Sequence, residues 1–194
     1  MQHPTSRSRL AVLVALLVVL ATALVPATAA SSPIEDFADY QPQTKCSPKA
    51  KAGADYLADW LVKRYGGGRG RIGSACSDSV SEHQEGRAVD WRMDATKKKQ
   101  RKQVQKFLKW AFAADKKDNP AAKARRMGIM YVIWNDKMWA SWREFEPKPY
   151  LSSSCKNKKK CSKTLRHRDH VHVSLSRKGG FAKTSWYDGK VEKD

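Results

Sequence analysis

Cysteine and histidine are both scarce here, four and five residues in a chain of 194. No two cysteines form a C-x-x-C pair, which argues against a four-thiolate zinc site. Acidic residues are few, 19 against 38 lysines and arginines. The net charge of +19 therefore points to an anionic partner such as nucleic acid, a wall polymer or a membrane surface. No segment repeats, and no recognised nucleic-acid-binding signature is present. The one long apolar run, residues 10–25, is interrupted only by Thr22 and falls short of the roughly 20 residues a spanning helix needs.

What is present begins with an export signal. Arg7 and Arg9 precede the apolar run, Pro26 ends it, and Ala27-Thr28-Ala29 is an A-x-A cleavage site. Residues 1–29 thus read as a signal peptide, and no stable membrane span is expected after cleavage. No cysteine follows the cleavage site, which argues against a lipid anchor. Four cysteines in an exported chain suggest two disulfides. Three pairings are possible; the expected one joins Cys155 to Cys161, pinching off a lysine-rich loop, and Cys46 to Cys76. The protein reads as secreted, with association with the cell wall a natural extension.

Residues 30–45 are polar and contain proline, and they read as a flexible lead-in to one domain over residues 46–194. Within residues 49–65, Tyr56, Leu57, Trp60 and Leu61 recur at helical spacing, and Gly66-Gly67-Gly68 stops the helix. Residues 71–93 show β-type alternation broken by polar turns. Asp94 or Thr96 is placed to cap a second helix reaching about Ala114, with Val104, Phe107, Leu108, Ala111 and Phe112 facing inward. Residues 127–134 read as a buried central strand, and Asn135-Asp136 turns the chain into a partner strand ending near Trp142. A long loop over residues 144–165 leads to a half-buried strand at residues 170–175. This order predicts an α+β domain, a mostly antiparallel sheet flanked by two to three helices.

Three of the four histidines beyond the leader lie in two short stretches, Ser81-Glu82-His83-Gln84-Glu85-Gly86-Arg87-Ala88-Val89-Asp90 and Asp169-His170-Val171-His172-Val173. On a strand, residues two apart share a face, so His170 and His172 point into one space. His83 and Asp90 are an odd number of residues apart, and Gly86 can supply the turn that brings them to one side. Imidazole and carboxylate are ordinary zinc ligands, and three protein ligands with a water is the usual catalytic arrangement. One zinc per chain is the cofactor this pattern implies. His167, beside arginines, reads as exposed.

The pattern S-x-H-x-x-G-x-A-x-D, matched at Ser81, His83, Gly86, Ala88 and Asp90, followed by H-x-H at His170 and His172, resembles a known zinc superfamily. Its members are the D-alanyl-D-alanine carboxypeptidases, the lysostaphin-type endopeptidases and the hedgehog signalling domain. The first pattern is most similar to the carboxypeptidase and dipeptidase branch. The resemblance implies that His83, Asp90 and His172 hold the metal and that His170 sits beside it as a catalytic or transition-state-stabilising group. That branch places a glutamate base three residues before the last ligand; here the position is Asp169, which makes Asp169 the first candidate base and His170 the second. Strand parity, however, points Asp169 away from His172 unless the chain bends there. Arg87 is a candidate cation for the developing oxyanion, and Ser81 either holds the substrate backbone or closes a turn before His83. The implied activity is hydrolysis of peptidoglycan stem peptides or cross-links by a metal-activated water.

Lys156, Lys158, Lys159, Lys160, Lys163 and Arg166 crowd the loop leading into the His170 strand, where they would steer anionic wall polymers. Trp134, Trp139 and Trp142 on the hairpin are expected mainly in the core. Two other readings fit the charge and the histidines. One is a secreted nucleic-acid-binding protein or nuclease; the other is a non-catalytic zinc module that binds the wall.

Overall fold

Periodicity decides where the two long helices lie. Helix α1 (Ala52–Tyr65) buries Ala54, Leu57, Ala58 and Leu61 on one side and ends at Gly66, whose φ of 77° is the left-handed conformation glycine adopts without cost. Helix α2 (Lys98–Phe112) buries Val104, Phe107 and Ala111 and turns its lysines outward. This computed structural model describes residues 34–192, so the expected signal peptide lies outside the described residues.

Six strands form one sheet: β1 (Gly68–Arg69), β2 (Ala88–Arg92), β3 (Ile129–Trp134), β4 (Lys137–Ala140), β5 (Pro147–Pro149) and β6 (His170–Leu175). Their order is β1-β2-β6-β3-β4-β5, and every neighbouring pair is antiparallel. The fold is α+β with a mostly antiparallel sheet, as the pattern of elements predicts. Two short helices, α3 (Ala122–Arg126) and α4 (Arg177–Gly180), complete the set. At four and five residues they are too brief to leave a periodic signature.

The two faces of the sheet have different tasks. Val89, Trp91, Val132, Trp134, Val171, Val173 and Leu175 form one core with the inward stripes of α1 and α2, and Trp91 packs edge-on against Phe107. The opposite face carries Asp90, His172, Ser174, Tyr131 and Ile133, and among the described residues the long helices pack on the other side. Asn135 and Asp136 both take positive φ, 47° and 63°, in the tight β3–β4 turn. The disulfides pair Cys46 with Cys76 and Cys155 with Cys161, at Cα separations of 5.8 and 5.4 Å. Among the described residues no helix is long and apolar enough to cross a membrane.

Four local expectations need correction. Residues 34–45 lack regular structure but are tied down. Glu35 accepts from the backbone and hydroxyl of Ser185, Phe37 packs against Phe145, and the Gln41 side chain accepts from the backbone of Arg177. Lys97, not Asp94 or Thr96, is the N-cap of α2; the Asp94 carboxylate instead accepts from the backbone and hydroxyl of Thr96 in the preceding turn. Between residues 71 and 93 only β2 is a regular strand, since Glu82–Glu85 winds into a 3₁₀ turn. Strand β6 is buried on both faces after His170, because its polar side chains His172 and Ser174 meet His83, Asp90 and Glu82 rather than solvent.

Candidate metal centre

Strands β2 and β6 pair with Asp90 directly opposite His172. His83 arrives from the 3₁₀ turn just before β2. The Ser81 hydroxyl accepts from the His83 backbone at 3.3 Å, and Gly86 closes the turn with φ 65°. A Cβ on Gly86 would lie 2.0 Å from the carbonyl oxygen of Lys49, so only glycine fits there. This turn sets His83 beside Asp90 despite their odd separation.

Three donor atoms converge. His83 Nε2 lies 3.1 Å from Asp90 Oδ1 and 3.2 Å from His172 Nδ1, and His172 Nδ1 lies 3.2 Å from Asp90 Oδ1. Their residues are 2, 8 and 7 % exposed. The outer nitrogens fix the tautomers. His83 Nδ1 donates to the carbonyl of Ile72 at 2.7 Å, which leaves Nε2 with a lone pair. His172 Nε2 donates to Ser174 Oγ at 2.9 Å, and Ser174 in turn donates to Glu82 Oε2. The Tyr131 hydroxyl donates to the same carboxylate oxygen at 2.5 Å. With His83 Nδ1 and His172 Nε2 turned to outer partners, His83 Nε2, Asp90 Oδ1 and His172 Nδ1 face one buried space, a group that could hold a metal ion. Tetrahedral zinc with bonds of about 2.0–2.1 Å spaces its ligand atoms about 3.3–3.4 Å apart, close to the edges seen here. The donor set therefore fits a zinc ion.

The electrostatics agree. Burial alone would raise the Asp90 carboxyl, but the two imidazoles beside it, His172 and His83, hold it well below the usual carboxylate range. Burial lowers His172, with Asp90 opposing. The Arg71 guanidinium holds the other Asp90 oxygen through Nε and a terminal nitrogen, each at 3.2 Å, and its side chain is 56 % exposed.

His170 shares the face of His172 and brings Nε2 to 3.6 Å from Asp90 Oδ1. Its Nδ1 donates to Asp169 Oδ1 at 2.7 Å, while Asp169 Oδ2 accepts from Thr164 at 2.6 Å. Asp169 thus points along the loop and reaches the centre only through His170.

Two further expectations are overturned. Arg87 cannot meet a substrate. It is 1 % exposed, and its guanidinium is spent on Glu85, the carbonyl of Leu175 and the carbonyl of Gln41. His167 is half-buried rather than exposed; its ring lies 4.8 Å from that of His170 and 5.6 Å from that of His172. Burial, then the two neighbouring histidines, takes its pKa down to about 3. Ser81 sits where it closes the turn. Of the three hairpin tryptophans, Trp134 is core, Trp139 packs beside it and stacks with Phe112, and Trp142 is 36 % exposed. In the basic loop, Lys163 pairs with Asp94 and Arg166 with Asp136, leaving Lys156, Lys158, Lys159 and Lys160 exposed to solvent.

Sequence reasoning missed Glu82, Ser174, Tyr131 and Arg71. Ser174 was open to discovery, standing two residues beyond His172 on the same strand face. Glu82 lies inside the first motif at a variable position. Arg71 and Tyr131 have no local signal.

Comparison with curated proteins and with solved structures finds no match. A protein-family model described as VldE, C-terminal domain, matches residues 44–158, a stretch that holds Ser81, His83 and Asp90 and ends before β6. That match covers more than half of the 194 residues, and the chain belongs to the VldE C-terminal domain family.

Proposed function

We propose that this protein is an exported zinc-dependent peptidase acting on the peptides of peptidoglycan. The observation that carries the reading is the convergence of His83 Nε2, Asp90 Oδ1 and His172 Nδ1 at 3.1–3.2 Å, with lone pairs inward. The likeness of the two motifs to the D-alanyl-D-alanine carboxypeptidase branch supports the same substrate class. Both disulfides and the leader suit an extracellular setting.

His83, Asp90 and His172 would hold the ion. A zinc ion supplies Lewis-acid polarisation of a carbonyl and an acidified water. The chain's own groups supply the rest. His170 Nε2, facing the centre, takes a proton and returns it to the leaving amine, while Asp169 fixes its tautomer through Nδ1. Asp169 is thus the positioning group and His170 the base, the reverse of the order implied by resemblance. Arg71 replaces Arg87 as the cation beside the site, placed to receive a substrate carboxylate or a developing oxyanion.

Elemental analysis of the protein and of His172→Ala tests the centre. About one zinc per chain in the first and little in the second is expected. No zinc in either after reconstitution would overturn the proposal. Digestion of purified peptidoglycan, with His170→Ala as control, then tests the chemistry. Zinc without any release of peptide or D-amino acid would identify a wall-binding zinc module instead.

A further inference from the structure

The open face of the sheet continues past the metal centre into a cleft of about 270 Å³. It is lined by Tyr40, Tyr131, Ile133, Met138, Trp142 and Tyr150. The sheet register makes it part of the same surface, since Ile133 lies opposite His172 and Tyr131 opposite Ser174. The Tyr131 ring stacks on the His172 ring, with centroids 5.5 Å apart and 22° between planes. On the far wall Trp142 meets Tyr131 edge-on at 6.0 Å, and Tyr40 leans on Trp142 at 5.4 Å. Tyr150 packs against His167 at 5.1 Å, which joins the cleft to the histidines.

Two properties select the occupant. None of the six lining residues carries a formal charge, although the chain as a whole has a net charge of +19. An anionic peptide end or phosphate belongs beside Arg71 or the lysine loop; here the complementary group is neutral. Large aromatic side chains are also partly open to solvent, with Tyr40 51 % and Trp142 36 % exposed; one cation, the Arg143 guanidinium, lies 5.8 Å from the centroid of the Trp142 ring and outside the six that line the cleft. Flat π-faces rimmed by phenol and indole edges suit a ring with apolar C–H faces and hydroxyl edges. The volume lies below the roughly 300–1,000 Å³ of drug-sized pockets and accommodates one such ring.

We propose that this cleft is a subsite for a neutral pyranose ring of the glycan to which the cleaved peptide is attached. The inference rests on the peptidase reading and adds to it the sugar half of the substrate. A ring seated on Trp142 and Tyr40 brings the peptide it bears past Tyr131 to His172.

The test is calorimetric titration with a neutral tetrasaccharide of N-acetylglucosamine, in the presence and absence of EDTA. Parallel titrations use N-acetyl-leucinamide, a neutral apolar probe without a sugar. Wild-type protein is expected to bind the tetrasaccharide with or without metal and to ignore the leucine amide. Trp142→Ala and Tyr40→Ala should each weaken sugar binding at least tenfold. Unchanged thermal unfolding would show that the variants are folded, and Trp142→Phe should restore much of the affinity. No binding of the tetrasaccharide by folded wild-type protein overturns the proposal, as does binding unchanged in both variants or preference for the leucine amide. Because the readout needs no cleavage, sugar binding by a protein that proves free of zinc would sink the peptidase reading and leave the subsite standing.

Discussion

Glu82 is the residue whose removal would say most about the centre. It is 4 % exposed, and one of its oxygens collects the hydroxyls of Tyr131 and Ser174, the second of which receives the outer proton of His172. Such outer partners orient a ligating histidine and raise its basicity, and losing one commonly costs 10–100-fold in metal affinity. Glu82→Gln is expected to weaken zinc binding within that range, measured by competition with a chromophoric chelator, with little loss of secondary structure. Arg87 makes the opposite case. Its partner Glu85 resists ionisation through burial, but the Thr44 backbone and Arg87, with Arg177 beyond, bring its pKa down to about 2 from an ordinary 4.5. The folded value is the lower one, so this contribution to stability is complete above about pH 4.5 and is lost as the pH falls towards 2. Arg87→Ala strands that carboxylate and should cost about 3–5 kcal/mol in urea unfolding at pH 7, with a smaller penalty near pH 2. At this scale the grouping of His83, Asp90 and His172 was legible because histidine is rare in the chain, five residues in 194. Arg87 was misread because a variable motif position says nothing about which way a side chain points.

At the scale of elements, the turn before β2 is the part that cannot vary. Gly86→Ala must place a methyl group 2.0 Å from a backbone oxygen at a left-handed φ, so either the turn or residue Lys49 must move. A loss of about 1–3 kcal/mol is expected from the conformation alone, together with weaker zinc binding, and thermal unfolding with metal titration checks both. The disulfides differ in weight. Cys46–Cys76 closes 30 residues and Cys155–Cys161 only 6, so chain entropy assigns about 3–4 kcal/mol to the first and about 2 to the second. Serine pairs at each bridge, compared by urea denaturation, should preserve that order. The long helices and the β3–β4 hairpin were readable because each carries a clear period or turn. The short helices, the packed lead-in and the burial of both faces of β6 are tertiary outcomes, set by neighbours up to 150 residues away such as Ser185 on Glu35.

Over the whole molecule, charge and site are arranged separately. In the basic loop Lys163 and Arg166 are paired with acids, while Lys156 and Lys158 to Lys160 project from the disulfide loop. Retention on an anionic wall polymer should therefore fall steeply between about 0.05 and 0.5 M salt, and replacing those four lysines by alanine should flatten that dependence. Retention indifferent to both changes would assign wall binding to another surface.

The metal trio spans the β2–β6 ladder, and its outermost members lie 89 residues apart in sequence. Only a fragment that spans residues 83–172 contains the site, and only a sheet in which β2 and β6 are paired assembles it. An ion bound there would act as a rivet across the β2–β6 seam, favouring the finished fold by mass action. Completion of the sheet and acquisition of an ion would then be one event, and the two disulfides would hold the product of that event in place.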